Sequence, residues 1–344
     1  MYGIFYLFRM LSVFLFLFSN IVLLFLVLSV FGKINNGKML KYMMMVAFGA
    51  MSYGTLTSFA KIAYTEGYTP GEITFTQAFL GALILWLLAF LRSIKEKKSK
   101  IAFNWRLILA GTAMGLSAYC FYLSVKYIPV TLAIVLLMQV SWISNIAEWL
   151  IFKKKYSKTD VLATSLILLG TVLAGNLLNV QNLNFSLSGI LLATSSAIFY
   201  TIYVISTSKL GNGIPMLEKS ALMTTGSALL ILIINLPSFA ISSHIDFGLL
   251  KWGSFLAVFG TVIPPICFTT GMPRIGPGLS AILLTLELPA VVLCAYIILG
   301  EQVSFIQVIG ILIMIGAIVY PNLVKARGEK QIEVKTVNKI SQSP

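Results

Sequence analysis

The sequence predicts an all-α polytopic membrane protein, a ten-helix core of two inverted five-helix repeats preceded by one extra N-terminal hydrophobic segment. Three observations lead there. The 344-residue chain is 58% hydrophobic and 10% charged, with a mean hydropathy of +0.93, and so has too little polar surface to enclose a soluble core. It also matches itself in one ungapped register: Tyr53 and Tyr200, Trp105 and Trp252, Cys120 and Cys267, and Ser157 and Ser304 each lie 147 positions apart. Leu and Ile matches arise by chance in apolar sequence, but paired Trp, Cys and Tyr indicate a duplication. Finally, the basic loops alternate with loops nearly free of Lys and Arg.

In chain order, Met1 to Phe31 is a long apolar run interrupted by Arg9. It has no counterpart in the duplication. An extra membrane helix, a signal segment and sequence upstream of a true start near Met39 all fit it, although no small-x-small cleavage pattern follows. Residues 1–38 are therefore set apart as an appendage. The first repeat, 39–182, supplies spans at Tyr42–Ile62, Ile73–Leu91, Trp105–Val125, Val130–Phe152 and Asp160–Leu178. The second, 183–324, supplies Leu187–Ser208, Met216–Phe239, Trp252–Gly271, Pro277–Leu299 and Phe305–Leu323. Each approaches the roughly 20 residues an α-helix needs to cross about 30 Å of hydrocarbon. A Pro/Gly turn from Gly271 to Gly278 separates the eighth span from the ninth, and residues 325–344 form a polar, basic tail.

Five spans per copy is an odd number, so the second copy enters the membrane the other way up. Lys33, Lys38 and Lys41 before the first span, Arg92 to Lys100 after the second, Lys153 to Lys158 after the fourth and Lys325 to Lys330 after the last all fall on one side. By the positive-inside rule that side is cytoplasmic, with both core termini inside. The repeat-equivalent loops agree, being Lys153-Lys154-Lys155 in one copy and Gly300-Glu301-Gln302 in the other.

The net charge of +14 would suggest nucleic acid in a soluble protein, but these cations lie between apolar runs and follow topology. No nucleic-acid partner is expected. Three cysteines without CxxC spacing and a single histidine, His244, give no metal set and no disulfide framework, and no cofactor is implied. A membrane-embedded enzyme would need a nucleophile and base or a carboxylate pair in the bilayer, and no HExxH, GxSxG or P-loop pattern occurs. A non-transporting scaffold is the other alternative, and it has no need of an inverted duplication.

Glu287 is the strongest candidate. It is embedded midway along the ninth span, where an acid costs about 2.5 to 3.5 kcal/mol on insertion scales and so faces a bundle interior or a wet cavity. It is either a solute-binding and proton-coupling group or a structural acid bonded to a neighbouring helix. Pro289 cannot donate to the carbonyl of Thr285, and Pro264 and Pro265 likewise free the carbonyls of Gly260 and Thr261. All three prolines are candidate helix breaks of the kind that mark transporter binding sites. The first copy has Ser117-Ala118 in place of the proline pair, so a symmetric break is not expected there. Tyr53 and Tyr200, mid-helix and repeat-equivalent, fit either a solute with a flat or apolar part or plain helix packing. Gln139 lies deep in the fourth span. The expected solute-binding set is Tyr53, Gln139, Tyr200, Thr285 and Glu287.

Three stretches carry a resemblance: GMPRIGPGLSAILL opening the ninth span, ELPAVVLCAYIILGEQVS closing it, and QVIGILIMIGAIVY in the tenth. Over about Met39 to Val324 the chain resembles the EamA type of the drug/metabolite transporter superfamily. SYGT in the first span stands where that family often has a Trp-Gly pair, with Tyr53 in place of the Trp. The first copy departs from the second at Trp142 against Pro289 and Lys154 against Glu301. The resemblance implies two inverted five-helix repeats with core termini inside, no enzymatic activity, and alternating access of a small organic metabolite through a central cavity. Such a cavity, with one deep acid and no deep cation cluster, suits an amino acid or related compound more than a phosphorylated one. Export is the expected direction, the cytoplasmic (inner) membrane the expected location, and a monomer or homodimer the expected assembly.

Overall fold

The computed structural model describes residues 37–97, 102–128, 130–153, 158–175, 186–241, 246–300 and 302–318. The expected appendage up to residue 36, His244, Lys154 and the basic tail lie outside the described residues. Those residues hold helices and no strand. Within them, seven helical runs are long and apolar enough to cross a membrane.

Helix α1 spans Gly37–Thr65 and α2 Pro70–Lys95. The start of α2 is fixed by a capping box: the Thr69 hydroxyl accepts from the Glu72 amide, and the Glu72 carboxylate accepts from the Thr69 amide at 2.8 Å. Asn104 caps α3, Trp105–Ser124, by accepting from the Arg106 amide at 3.0 Å. Then follow α4 (Val130–Leu137), α5 (Val140–Phe152), α6 (Lys158–Ala174), α7 (Leu187–Lys209) and α8 (Met216–Ile241). Helix α9 (Phe247–Leu256) starts ahead of the expected Trp252 because Asp246 caps it, accepting from the Leu249 amide at 2.7 Å. It runs through a π-helical segment, Ala257–Val262, into α10, Ile263–Ile275. The expected Gly271–Gly278 turn contracts to Gly276, whose φ of 84° favours glycine. Helices α11 (Pro277–Leu284) and α12 (Glu287–Cys294, continued by a π turn over Ala295–Leu299) come next, and then α13, Phe305–Ile318.

The fourth and ninth expected spans keep their outer ends, but each is interrupted. The interruptions fall at Met138-Gln139 and Thr285-Leu286, which are 147 positions apart, so α4 and α11 have the same bounds in the repeat register. At both, amides reach back three residues: Gln139 to Leu136 and Ser141 to Met138, then Leu286 to Leu283 and Leu288 to Thr285, all at 3.2 Å. This corrects two expectations. A symmetric pair of breaks exists, though away from the proline pair. And the Thr285 carbonyl that Pro289 was expected to free is occupied by the Leu288 amide. Pro289 lies inside α12, while Pro264 and Pro265 sit in a continuous helical run just after the π segment. A π turn widens the helix there without ending it.

Packing interleaves the two copies. Helix α1 packs on α10 and α12, while α7 packs on α3 and on α4 and α5; α2 packs on α9 and the π segment, while α3 packs on α8. Exchanging the copies maps α1 on α10 onto α7 on α3, α1 on α12 onto α7 on α5, α2 on α9 onto α8 on α3, and α2 on α8 onto itself. The closest crossing joins α3 to α8, where a Cβ at Gly111 would overlap the Met223 carbonyl and one at Gly226 the Ile108 carbonyl. Without a hydrophobic drive between helices in lipid, such small-residue approaches supply the packing. Outward faces stay apolar, with Phe79, Leu83, Leu87, Phe90 and Ile94 exposed along α2.

Two polar features tie helix ends. Lys219 in the first turn of α8 is 1% exposed, and its ammonium donates to the Thr207 carbonyl in the last turn of α7 at 2.7 Å. A cation is favoured at a helix C-terminus, where carbonyls lack amide partners. In the α1–α2 loop, the Tyr68 hydroxyl donates to the Asp246 carboxylate at 2.8 Å. That bond pushes the Tyr68 phenol up to about 12, while the Leu249 amide and Tyr68 together hold the exposed Asp246 carboxyl below its usual range.

Candidate functional site

A central cavity of about 100 Å³ lies where α1, α2, α3, α7, α8, α10 and α12 meet. Tyr53 of α1, Tyr200 of α7, Pro265 of α10 and Glu287 of α12 line it, so four of the expected residues from both copies converge. Gln77, Ser117, Tyr122, Tyr203, Ser227 and Thr261 add to its polar wall, as do Thr57, Thr74 and Thr224, and among the described residues no Lys, Arg or His lines it.

Glu287 is the first residue after the interruption, at the N-terminal end of α12, where an anion is favoured by the helix dipole. Its carboxyl is half-buried and, among the described residues, has no hydrogen bond and no ion pair. It lies within electrostatic range of the Tyr53, Tyr122 and Tyr200 hydroxyls. Tyr200 is 2% exposed, and its hydroxyl has no partner in the structure. The rings are held by aromatic packing: Tyr53 stacks on Phe268 with centroids 5.8 Å apart, Tyr200 on Tyr203 at 6.3 Å, and Tyr122 meets Phe121 edge-on at 5.8 Å. The Gln77 amide likewise makes no hydrogen bond among the described residues. Buried polar groups are ordinarily bonded, so this many unpaired groups around one hollow mark a place for a ligand or water.

Gly54 sets the depth of Glu287. A Cβ there would stand 2.5 Å from the Glu287 carbonyl oxygen and 2.6 Å from Ala290 Cβ, so α1 and α12 touch through a missing side chain. Gly54→Ala should push them apart and misplace the carboxylate. Solute flux is expected to fall about tenfold, equivalent to about 1.4 kcal/mol, together with a lowered melting temperature; unchanged flux in the protein that still folds would show that the contact does not position the acid.

Gln139 and Thr285 lie outside the cavity wall. Gln139 donates to the Val135 carbonyl at 2.9 Å and accepts from the Trp142 indole at 2.7 Å, which turns it toward its own helix. The Thr285 hydroxyl is fully buried and donates to the Ile282 carbonyl at 2.7 Å. Pro264 and Pro289 do not line the cavity either. Sequence reasoning missed Gln77, Tyr122 and Tyr203. Tyr203 is one turn beyond Tyr200 on the same helix face, and Gln77 is a polar residue deep in an apolar span; the spacing and depth rules that singled out Tyr200 and Glu287 would have found both.

Two larger hollows adjoin the cavity toward the end of the bundle that holds the α2 start, one of them of about 280 Å³ and sharing Thr57, Phe121 and Tyr122 with it. The other, a vestibule of about 310 Å³ between the α2 start, the α3 end and Asn235, shares Thr74 and Tyr122 with the cavity, and Glu72 and Lys126 stand in that vestibule. Toward the other end, the helices continue as packed core: Met43, Val46 and Ala47 in α1, Val204 in α7, and Phe268 and Met272 in α10 are all buried. Beyond them the Glu148 carboxylate of α5 accepts from the Gly278 amide of α11 at 3.2 Å.

The model of the EamA-like transporter family matches residues 40–176 and again 187–322, two matches that begin 147 positions apart. The chain belongs to the EamA-like transporter family. It is accordingly a multi-pass membrane transporter, in which the cavity lies between the two EamA-like units. No curated protein matches it. Among 29 matching solved chains, one described only as "Crystal structure of protein" shares 14% identity, covering 81% of this chain and 96% of its own, with a TM-score of 0.68. That likeness shows a shared fold.

Proposed function

We propose that this EamA-like protein moves a small organic metabolite, an amino acid or related compound, across the cytoplasmic (inner) membrane by alternating access, in the direction of export. The core is a ten-helix bundle of two inverted five-helix repeats with both ends in the cytoplasm. One observation carries the reading: a polar cavity built from both copies, with larger hollows adjoining it toward one end and packed core toward the other. A carrier needs that asymmetry in each of its end states, and exchanging the roles of two equivalent copies reverses it. The symmetric interruptions of the fourth and ninth spans are the places where each copy can bend. With the loop charges orienting the bundle, the vestibule opens outward and the Glu148–Gly278 contact closes the cytoplasmic end. Glu287 is the proton-coupling group, since it alone among the wall residues exchanges a charge with the solute's path.

Solute uptake into proteoliposomes tests transport, and cysteine labelling tests the inversion. The native Cys120, Cys267 and Cys294 are all buried, which keeps the labelling background low. Lys97→Cys should react only with reagent on the cytoplasmic side and Gln302→Cys only from outside. Reaction of both from the same side would overturn the inverted arrangement.

A further inference from the structure

Resting on the transporter reading and narrowing its solute class from amino acids and related compounds to the amines among them, we propose that the central cavity is a cage for a small organic ammonium ion that carries no carboxylate of its own. The wall holds one acid, Glu287, and no basic residue. An ammonium brings one positive charge and up to three donors. Groups able to accept them, unpaired among the described residues, are the Glu287 carboxylate, which only accepts when ionised, and the hydroxyls of Tyr53, Tyr122 and Tyr200 and the Gln77 amide, which can accept as well as donate. Each phenol also brings a ring, and aromatic faces attract cations, the more so when water is excluded.

A carboxylate on the same solute would find hydroxyl and amide donors but no cation. Among the described residues the cavity's only charged side chain is an acid, and burying an unpaired anion is far costlier than burying a paired cation. Lys126 and Lys61 stand in the two adjoining hollows and do not line the cavity. A neutral alcohol of the same shape would leave Glu287 without a counter-charge. The cavity therefore sorts solutes by charge type, with the monocation favoured over zwitterion, neutral molecule and anion.

The test uses the full chain in lipid nanodiscs and four probes that share the branched isoamyl chain: isoamylamine, leucine, isoamyl alcohol and 4-methylpentanoate. Equilibrium binding should be at least about tenfold tighter for isoamylamine than for the other three. Glu287→Gln should remove that preference, whereas Tyr200→Phe, which keeps the ring, should retain it. Leucine or the acid binding as tightly as the amine would overturn the cage, as would a folded Glu287→Gln protein that still prefers the amine. If Glu287→Gln does not fold, the four-probe ranking on the unaltered protein decides alone. Amine binding without flux in vesicles would sink transport and leave the cage standing; flux of other solutes with no amine preference would do the reverse.

Discussion

Replacing Glu287 by glutamine should abolish the response of solute flux to an imposed pH gradient and lower the flux itself by about tenfold or more. Glutamine keeps the size and most of the hydrogen bonding but cannot change charge, so it isolates the one property the cavity cannot obtain elsewhere. Truncating one partner of a buried, hydrogen-bonded charge pair costs about 2–5 kcal/mol, and about 1.4 kcal/mol is already a factor of ten. The measurement is uptake into proteoliposomes with and without a pH difference, unaltered protein and variant side by side. A structural acid predicts otherwise: glutamine would be nearly harmless, and alanine would lower the melting temperature without altering the pH profile. Unchanged flux and unchanged pH response in the glutamine variant would end the case for Glu287 as the coupling group.

The second large effect is expected at the α3–α8 crossing. Gly111 and Gly226 lie so close to the opposing helix that any Cβ meets backbone, the Met223 carbonyl in one case and the Ile108 carbonyl in the other. A flexible side chain can step aside, whereas a carbonyl within a helix cannot without breaking its own hydrogen bond. Gly226→Ala should therefore destabilise by at least the ~1–3 kcal/mol typical of overpacking, and Gly226→Leu should leave no monodisperse protein after extraction in detergent. Because α3 and α8 carry Ser117, Tyr122 and Ser227 into the cavity, flux should fall with stability. An alanine variant that melts where the unaltered protein does would show that the two helices do not meet as described.

The membrane class and the approximate span positions were legible because hydropathy acts locally. Glu72 three residues after Thr69 and Asp246 before Phe247 are cap signals just as local, yet hydropathy alone started the second span at Ile73 and the eighth at Trp252, inside helices that begin at Pro70 and Phe247. The convergence of Tyr53, Tyr200 and Glu287 was legible for another reason: polar groups at mid-depth have few places to go, and duplication pairs them. The interruptions at 138–139 and 285–286 were not legible. Neither Met138-Gln139 nor Thr285-Leu286 contains a glycine or proline, and the tightened turns form where α4 and α11 meet neighbours from the other half. Prolines pointed instead to 264–265, where a π segment absorbs the lost bonds within a continuous helix. Gln139 misled for a similar reason. Depth alone marked it, yet its amide is consumed by Val135 and Trp142, partners on its own helix that span counting does not weigh.

Lys219 bears on how the turn between α7 and α8 is held. Its ammonium is enclosed, and its closest acceptor is the Thr207 carbonyl, twelve residues earlier at the end of α7. It stands in the first turn of α8, beside the loop rather than at mid-depth. Helices α7 and α8 each pack on α3, with little contact between them, so this one bond holds their ends together where side-by-side packing does not.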